Sequence, residues 1–561
     1  MPSPTHTVRV LAALCAAGLL AATLPRAITG AGRPDGWNDA THSRNADPDY
    51  ARVFAGSRVN RIDITVTSDD WSRVIADMTD MTGTFGAQRQ PGVAGGFGGF
   101  PQPSPDAIAA CSGSIEGDSC TLAGVTNGRC SQQPAAPLAC VGFARGGTQP
   151  GQPGVPPGVP PDVPPGVQPG VRPGGGLGAG GANDDVELFP RTPIYVPVSV
   201  SFDAVRFTRV GFRLKGNSSL SGAWRAGSEK LPFRLNMDAF ENDYPEIRDQ
   251  TFFGFPNLAF TNNGTDTSFL RQRVVTDLFR EAGVPAAHTA FVRVFLDRGT
   301  GPLYLGLYTM AEVPDSPMLT DVFGSDGGNL YKPSGTGGRW TRFIAGSFPK
   351  RTNEADEDWT DIEDAIAALN ASRSSAAPWR SSLEARFNVN GFLRWLALNT
   401  IVANTDAYGG LSAHNYYLYG SPRHRDRLFW IAWDHDLAMG SMGGGNPGTG
   451  TTASAVDIMR DTAQGQQWPL IRFLMDDPVY RDAYRRHAED LLATVFEPAR
   501  LVTRLRAEQA LITPYVVGPE GEQSGRTFLQ TPAQFATSVD QLVTYVQARA
   551  TAVRQALGAS R

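Results

Sequence analysis

The sequence predicts a two-lobed α+β protein. Three observations carry the prediction: strand-like alternation of apolar and polar residues recurs between Arg58 and Val313, one helical pattern interrupts it, and helical patterns dominate beyond Glu357. The first lobe is therefore expected to be a small antiparallel sheet, and the second mainly helical. With 561 residues, 41% of them hydrophobic, the chain can bury at least one large core.

Taken in order, the chain opens with Arg9 and the apolar run V-L-A-A-L-C-A-A-G-L-L-A-A-T-L, followed by small residues near Ala27 to Gly30. A run of about 15 apolar residues is shorter than the roughly 20 that span a bilayer, so residues 1–30 read as an export signal. No integral membrane segment is expected once that signal is cleaved. Residues 31–49 are polar and turn-rich, and read as a flexible segment. Residues 50–85 begin the sheet lobe, with R-V-N-R-I-D-I-T-V-T alternating as a half-buried strand does. From 86 to 184 the composition changes to Gly, Pro and Ala, ending in a tract of G-V-P-P-like units that reads as a polyproline II or flexible spacer. Strand-like sequence on both sides marks this stretch as an insertion within a domain. It carries Cys111, Cys120, Cys130 and Cys140, spaced nine or ten residues apart. That spacing lacks the close pairs of a zinc site, so two disulfides are expected in an exported chain, with all three pairings open.

Residues 185–315 complete the sheet lobe. P-I-Y-V-P-V-S-V-S-F, V-R-F-T-R-V-G-F-R-L-K-G and K-L-P-F-R-L-N-M read as strands, with the Ser/Gly-rich N-S-S-L-S-G-A-W-R-A-G-S as a loop between the last two. Asp266 to Gly283 places Leu270, Val274, Val275, Leu278, Phe279 and Ala282 at helical spacing, opened by an Asp or Thr cap and closed by Gly283 and Pro285. H-T-A-F-V-R-V-F-L and L-Y-L-G-L-Y-T-M-A-E-V follow as a strand pair. In the second lobe, residues 316–561, helices are expected at 358–370, 379–404 and 466–560, around a buried hairpin of N-Y-Y-L-Y and L-F-W-I-A-W.

Charge narrows the partners. Lys plus Arg number 50 against 55 Asp plus Glu, so no long-range positive field draws in nucleic acid or anionic lipid. Only Lys215, Lys230, Lys332 and Lys350 are lysines, which makes each one notable. No G-x-S-x-G elbow or P-loop occurs, and G-x-G-x-x-G falls only inside Gly-rich loops, so hydrolase and dinucleotide readings lose support. The histidines show no zinc spacing and read as structural.

Four positions stand out near the hairpin: Asp406 in N-T-D-A-Y, Asn415 in H-N-Y-Y-L-Y, and Asp434 with Asp436 in W-D-H-D. In an extended chain Asp434 and Asp436 point to one side, and such oxygen ligands suit Mg2+ or Mn2+. The plainer reading makes each Asp a turn or helix cap. Their order favours chemistry: an Asp after a helix, an Asn on a hairpin strand and an Asp closing the returning strand is how kinase-like folds place a base and two metal ligands. Asp406 is then the catalytic base, and Asp434, Asn415 and Asp436 hold the metal. The string His424 to Asp426 lacks a following Asn and reads as a charged turn. Lys230 and Lys215, with Ser218 and Ser219 in the loop, are candidates to contact nucleotide phosphates, against the ordinary fate of a strand-end lysine in solvent. Glu312, where the chain leaves the sheet, fits a hinge beside the nucleotide base. Arg271 and Glu281 read as surface charges on the helix.

R-L-K-G-N-S-S, K-L-P-F-R-L, F-L-R-Q-R-V-V-T-D-L-F-R-E-A-G-V-P, G-L-Y-T-M-A-E-V, N-L-Y-K, N-T-D-A-Y, H-N-Y-Y-L-Y and W-D-H-D, in this order, resemble the CotH (spore-coat protein H) kinase family. The resemblance implies an atypical protein-kinase-like fold, ATP with Mg2+ or Mn2+, and transfer of phosphate to Ser or Thr of secreted or surface proteins. It carries the catalytic Asp onto Asp406 and the metal-binding Asp onto Asp434, and extends to Asn415, Asp436 and Lys230. Gln272 stands where many relatives have an acidic residue, which puts the usual lysine-to-helix-glutamate pair in doubt. Three functions remain open: an extracellular protein kinase, a non-catalytic surface-binding or coat-assembly protein that keeps the fold, and a metal-dependent phosphoesterase.

Overall fold

The computed structural model describes residues 32–87, 189–410, 413–440 and 468–559, with short stretches between 109 and 144. The export-signal reading and most of the 86–184 insertion lie outside these residues. Within the insertion, three short strands pair in the order 119–120, 125–131 and 139–144. Cys120 is disulfide-bonded, and Cys130 lies opposite Cys140 in the strand register.

The mixture of sheet and helix is as the sequence predicts, but the small antiparallel sheet is corrected to a closed barrel of seven strands that includes one parallel pair. In chain order these are β1 Asn60–Thr65, β2 Val196–Phe202, β3 Val205–Leu214, β4 Phe233–Asn236, β5 Asn257–Thr261, β6 Thr289–Asp297 and β7 Pro302–Glu312. Neighbours run β1-β2-β3-β4-β5-β7-β6. β1 then closes the ring by pairing parallel with β6, from Asn60↔Val292 to Thr65↔Asp297. Closure leaves no open edge. Alternation within one strand cannot reveal it, because the two partners lie far apart in the chain.

Inward positions follow the period of two. Ile62 and Ile64 on β1, then Val196, Val198, Val200 and Phe202 on β2, fill the interior. Phe233 stacks on Phe260 at 4.3 Å and on Phe212 at 5.0 Å, so aromatic rings occupy the barrel where the tapering interior needs volume. Helix α1, Ser68–Thr82, packs outside, its Thr67 cap accepting from the Asp70 amide.

The Ser/Gly-rich loop expected after Lys215 is instead helix α2, Ser218–Ala226. Leu220, Ala223 and Trp224 supply one buried face at helical spacing, and Gly227 closes the helix in the left-handed conformation at φ 69. Poor intrinsic propensity of Ser and Gly is outweighed by burial of that face, with Trp224 donating to the Gly83 carbonyl at 2.8 Å. Helix α3, Arg271–Glu281, starts later than expected; Asp266 remains its N-terminal acceptor, taking the Arg271 amide at 2.8 Å. Arg271 pairs with Asp266 in the interior, so its reading as a surface charge is corrected, whereas Glu281 does meet Arg500 and Arg504 outside.

The second core is helical and wraps a small sheet. Strands β8 Leu330–Tyr331, β9 Tyr416–Ser421 and β10 Arg427–Ala432 form that sheet, and His424 to Asp426 is the turn between β9 and β10. Around it pack α4 Thr360–Asn370, α5 Ala376–Arg386, α6 Val389–Ile401, α7 Pro469–Asp476, α8 Pro478–Ala493, α9 Pro498–Val516 and α10 Pro532–Ala559. The expected helix at 379–404 is two helices, because Asn388 leaves helical geometry and its side chain accepts from the Gly391 amide to start α6. Packing does not respect a division at residue 315. Val274, Val275, Leu278 and Phe279 of α3 join the helical core, while Phe528 returns to the barrel core. Among the described residues no helix is long and apolar enough to cross a membrane.

β1 and β2 pair directly although residues 88–188 lie between them, from Ile62↔Phe202 to Thr65↔Ser199. Replacing 88–188 by a short Gly/Ser linker is therefore expected to keep the barrel closed and the thermal transition cooperative. Loss of the cooperative transition in a calorimeter would show that the segment is needed for closure.

Candidate functional site

The loop after α6 and the turn after β10 come together, each held by the other. Arg549, fully buried on α10, donates to the Ile401 and Thr400 carbonyls at 3.0 and 2.6 Å, placing a cation at the C-terminal end of α6. Beyond that end, Asn404 accepts from the Asp406 amide at 3.3 Å and donates to the Asp434 carbonyl at 3.3 Å. Asn404 thereby fixes both acidic segments relative to one another.

Asp406 is partly exposed and held by two side chains. Asn415 donates through Nδ2 to the Asp406 carbonyl at 2.8 Å and to Oδ2 at 3.0 Å, and His414 Nε2 lies 3.1 Å from Oδ1. The Asn415 amide nitrogen is thus committed to Asp406, so a cation would be met through Oδ1. Asn415 has φ 61 and Asp434 φ 60, left-handed backbone that Asn and Asp tolerate better than most residues. Positive φ at both positions marks a site whose surroundings hold it in shape.

Asp434 and Asp436 do approach each other, but not through the expected extended chain. The left-handed turn at Asp434 sends His435 inward between them. His435 is buried, its amide donates to Gln272 Oε1 at 2.8 Å, its Nδ1 meets Thr276 Oγ1 at 2.8 Å, and its ring stacks on Phe279 at 4.7 Å. Burial pushes its pKa down to about 3, so it stays neutral and acts as a wedge. Gln272 therefore has its own task, anchoring the turn. Asp436 accepts from Thr265 Oγ1 at 2.8 Å. Its carboxyl is held well above the usual range by burial and by Asp434, with Asp406 and Asp266 adding, a crowding that a cation would relieve. Among the described residues no three His, Cys, Asp or Glu converge closely enough to hold a metal unaided.

Lys215, just past β3, faces this acidic group. Burial pushes its ammonium down to about 8, Asp434 pulls the other way, and Lys332 and Arg234 add to the depression. Its Nζ lies 6.0 Å from the Trp433 ring. Ser218 and Ser219 open α2 three and four residues further on, so they sit at a helix N-terminus.

Two candidate assignments are corrected. Lys230 is fully buried and pairs with Glu522, with the Phe269 ring 4.6 Å away. Burial lowers the Lys230 pKa and Glu522 opposes that, whereas Asp434 and Asp436 act on Lys215. Lys230 therefore belongs to the barrel interior. Glu522 also accepts the Leu307 amide at 2.8 Å, and Gly306 makes room for it: a Cβ there would stand 2.6 Å from Glu522 Oε1. Glu312, assigned to the nucleotide hinge, is buried and consumed by Tyr50, which donates to Oε1 at 2.8 Å, and by the His288 amide and Nδ1 on Oε2 at 3.0 and 2.9 Å. A strand-end Glu with three such partners has no reach to a ligand. Sequence reasoning misses Glu522, Asn404, His414 and Thr265; of these Asn404, which opens N-T-D-A-Y, and His414, which flanks Asn415, carried a local signal.

Two comparisons with known proteins point to one family. Residues 212–553 match the CotH kinase protein family model. The inner spore coat protein H of Bacillus subtilis (strain 168) is 25% identical over 276 residues, 48% of this chain and 71% of that protein. A solved structure of the Shewanella oneidensis MR-1 toxin–antitoxin system, HipA and HipB with operator DNA, aligns at 12% identity and a TM-score of 0.23, over 51% of this chain and 57% of that one.

Removing either partner of the Lys230–Glu522 pair leaves a buried charge. Lys230→Met and Glu522→Leu are each expected to cost about 3–5 kcal/mol in urea unfolding, while the double variant recovers most of the loss. Singles within ~1 kcal/mol of wild type would mean the pair does not hold the barrel.

Proposed function

The chain belongs to the CotH kinase protein family, and on that premise we propose that it is a phosphotransferase moving the γ-phosphate of ATP to Ser or Thr hydroxyls of surface or coat proteins. The observation that carries the proposal is the gathering of three carboxylates, Asp406, Asp434 and Asp436, beside the half-buried cation Lys215, whose Nζ lies 6.0 Å from the Trp433 ring next to Asp434. A phosphoesterase using the acidic group has no need of Lys215. The relative named for the inner spore coat supports a coat or surface location, as does the apolar run at Val10 to Leu24.

In this reading Asp406 orients the acceptor hydroxyl. Its carboxylate, steered by Asn415 and His414, takes the proton as the hydroxyl oxygen bonds the γ-phosphorus and the bond to the bridging oxygen breaks, releasing ADP. Asp434 and Asp436 are the residues that would hold Mg2+ or Mn2+, with Asn415 as a further oxygen donor. Such an ion would neutralise charge on the phosphates and take its remaining ligands from them, as Mg2+ does when a site offers one or two carboxylates. The crowded negative charge at Asp436 fits this demand. Lys215 meets the phosphates from the barrel side.

The roles separate experimentally. Asp406→Asn is expected to bind Mg2+–ATP normally but to transfer phosphate about 10²- to 10⁴-fold more slowly, while Asp434→Asn loses metal-dependent nucleotide binding. Calorimetry beside an autophosphorylation assay reads both; wild-type protein that binds no nucleotide with either metal would leave the non-catalytic coat-assembly reading. Lys215 adds a pH signature. Its charge is present below a pKa of about 8 and lost above it, so ATP affinity should fall from about pH 7 to about pH 9, and Lys215→Met should flatten that dependence. An unchanged slope in the variant would assign the pH dependence to another group.

A further inference from the structure

N-L-Y-K contributes Lys332, which the mechanism above does not use. Of the four lysines in the chain, Lys230 is locked inside the barrel and Lys350 donates to the Asp356 carbonyl at 2.9 Å. Lys332 lies just past β8, on the helical side of the molecule, and its Nζ stands 5.7 Å from the Tyr417 ring. Tyr417 in turn meets Trp433 edge-on at 5.4 Å, and Trp433 carries Lys215. The two rings thus form a floor that joins a lysine from each side of the molecule and ends one residue before Asp434.

The barrel adds a second line of cations. Arg213 and Lys215 share one face of β3 and its extension, and Arg213 lies directly opposite Arg234 on β4. Like charges directly opposite in a sheet are destabilising, and burial with Arg234 alongside lowers the Arg213 pKa. Arg234 acts on Lys215 and on Tyr417 as well, so the line runs to the same floor. Cations gathered in this way beside two carboxylates, with Asp315 as a counter-charge to Arg234, present a wall suited to a polyanion.

We propose that Lys332, acting with Lys215 and Arg234, forms a polyphosphate-binding wall over the Tyr417–Trp433 rings beside Asp434, in place of the barrel lysine Lys230. The proposal rests on the phosphotransferase reading and deepens it. The wall takes the α- and β-phosphates while the carboxylates face the γ-phosphate, so one lysine from each side of the molecule grips the same ligand. Charge-assisted contacts from an ammonium to phosphate oxygens then supply affinity for the phosphates and none for the nucleoside.

The test is calorimetry with Mg2+–ATP, adenosine and inorganic tripolyphosphate on wild type, Lys332→Met, Lys332→Arg and, as a charge control on the exposed face of α8, Arg486→Met. Thermal transitions within a few degrees of wild type establish folding of each variant. Lys332→Met is expected to weaken Mg2+–ATP and tripolyphosphate binding about 10- to 100-fold with adenosine unchanged, Lys332→Arg to recover part of it, and Arg486→Met to change nothing. Wild type that binds tripolyphosphate but no nucleotide, with the same loss in Lys332→Met, supports the wall while removing the kinase reading. ATP binding that is equal in wild type and Lys332→Met overturns the wall and leaves that reading standing. Wild type that binds neither ATP nor tripolyphosphate overturns both.

Discussion

The architecture depends on one buried ion pair, Lys230 with Glu522. Glu522 lies on the segment between α9 and α10, so the pair brings the end of the chain back onto a barrel begun at Asn60. Two charges this deep are tolerated because each is the other's counterion and Glu522 takes a backbone amide as well. Around the pair, Arg526 meets Glu229, Arg293 meets Glu520, and Phe528 enters the barrel core. The segment therefore straps the barrel to the helices, and α3 crosses the other way by packing into the helical core.

Because the two halves are tied from both directions, the acidic segments are held by fixed elements. Asn404 couples the Asp406 loop to the Asp434 turn, and Gln272 on α3 holds that same turn through the His435 amide. His435 would destabilise this interior if charged; burial keeps it neutral. Left-handed backbone at Asn415 and Asp434 persists because hydrogen bonds and packing over-determine it. Negative charge is crowded at Asp436, while burial depresses the cations at Lys215 and Arg213.

The lysine chemistry shows how a rare residue can be flagged correctly and assigned wrongly. Scarcity singled out all four lysines alike. Lys230 and Lys215 both border strands at the ends of the Ser/Gly-rich segment, and no local feature says that one turns inward to a glutamate 292 residues away while the other lies in the field of Asp434. Glu312 is a similar case: a strand-end carboxylate looks available until Tyr50, from the opposite end of the sequence, is found on it.

The sequence by itself determined the α+β composition, every barrel strand except β5, Asn257–Thr261, the hairpin that carries Asn415 and Asp434, and the order of Asp406, Asn415, Asp434 and Asp436. These are local properties, set by periodicity, turn residues and spacing within a few dozen positions. Tertiary structure alone decided that β1 closes a barrel against β6, that Ser218–Ala226 is a helix, and that Glu522 serves Lys230. It also decided that Lys230 is spent on Glu522 while Lys215 lies in the field of Asp434. Each of these depends on burial by residues hundreds of positions away, and burial is what sets whether a charge becomes a structural counterion or a group poised for a ligand.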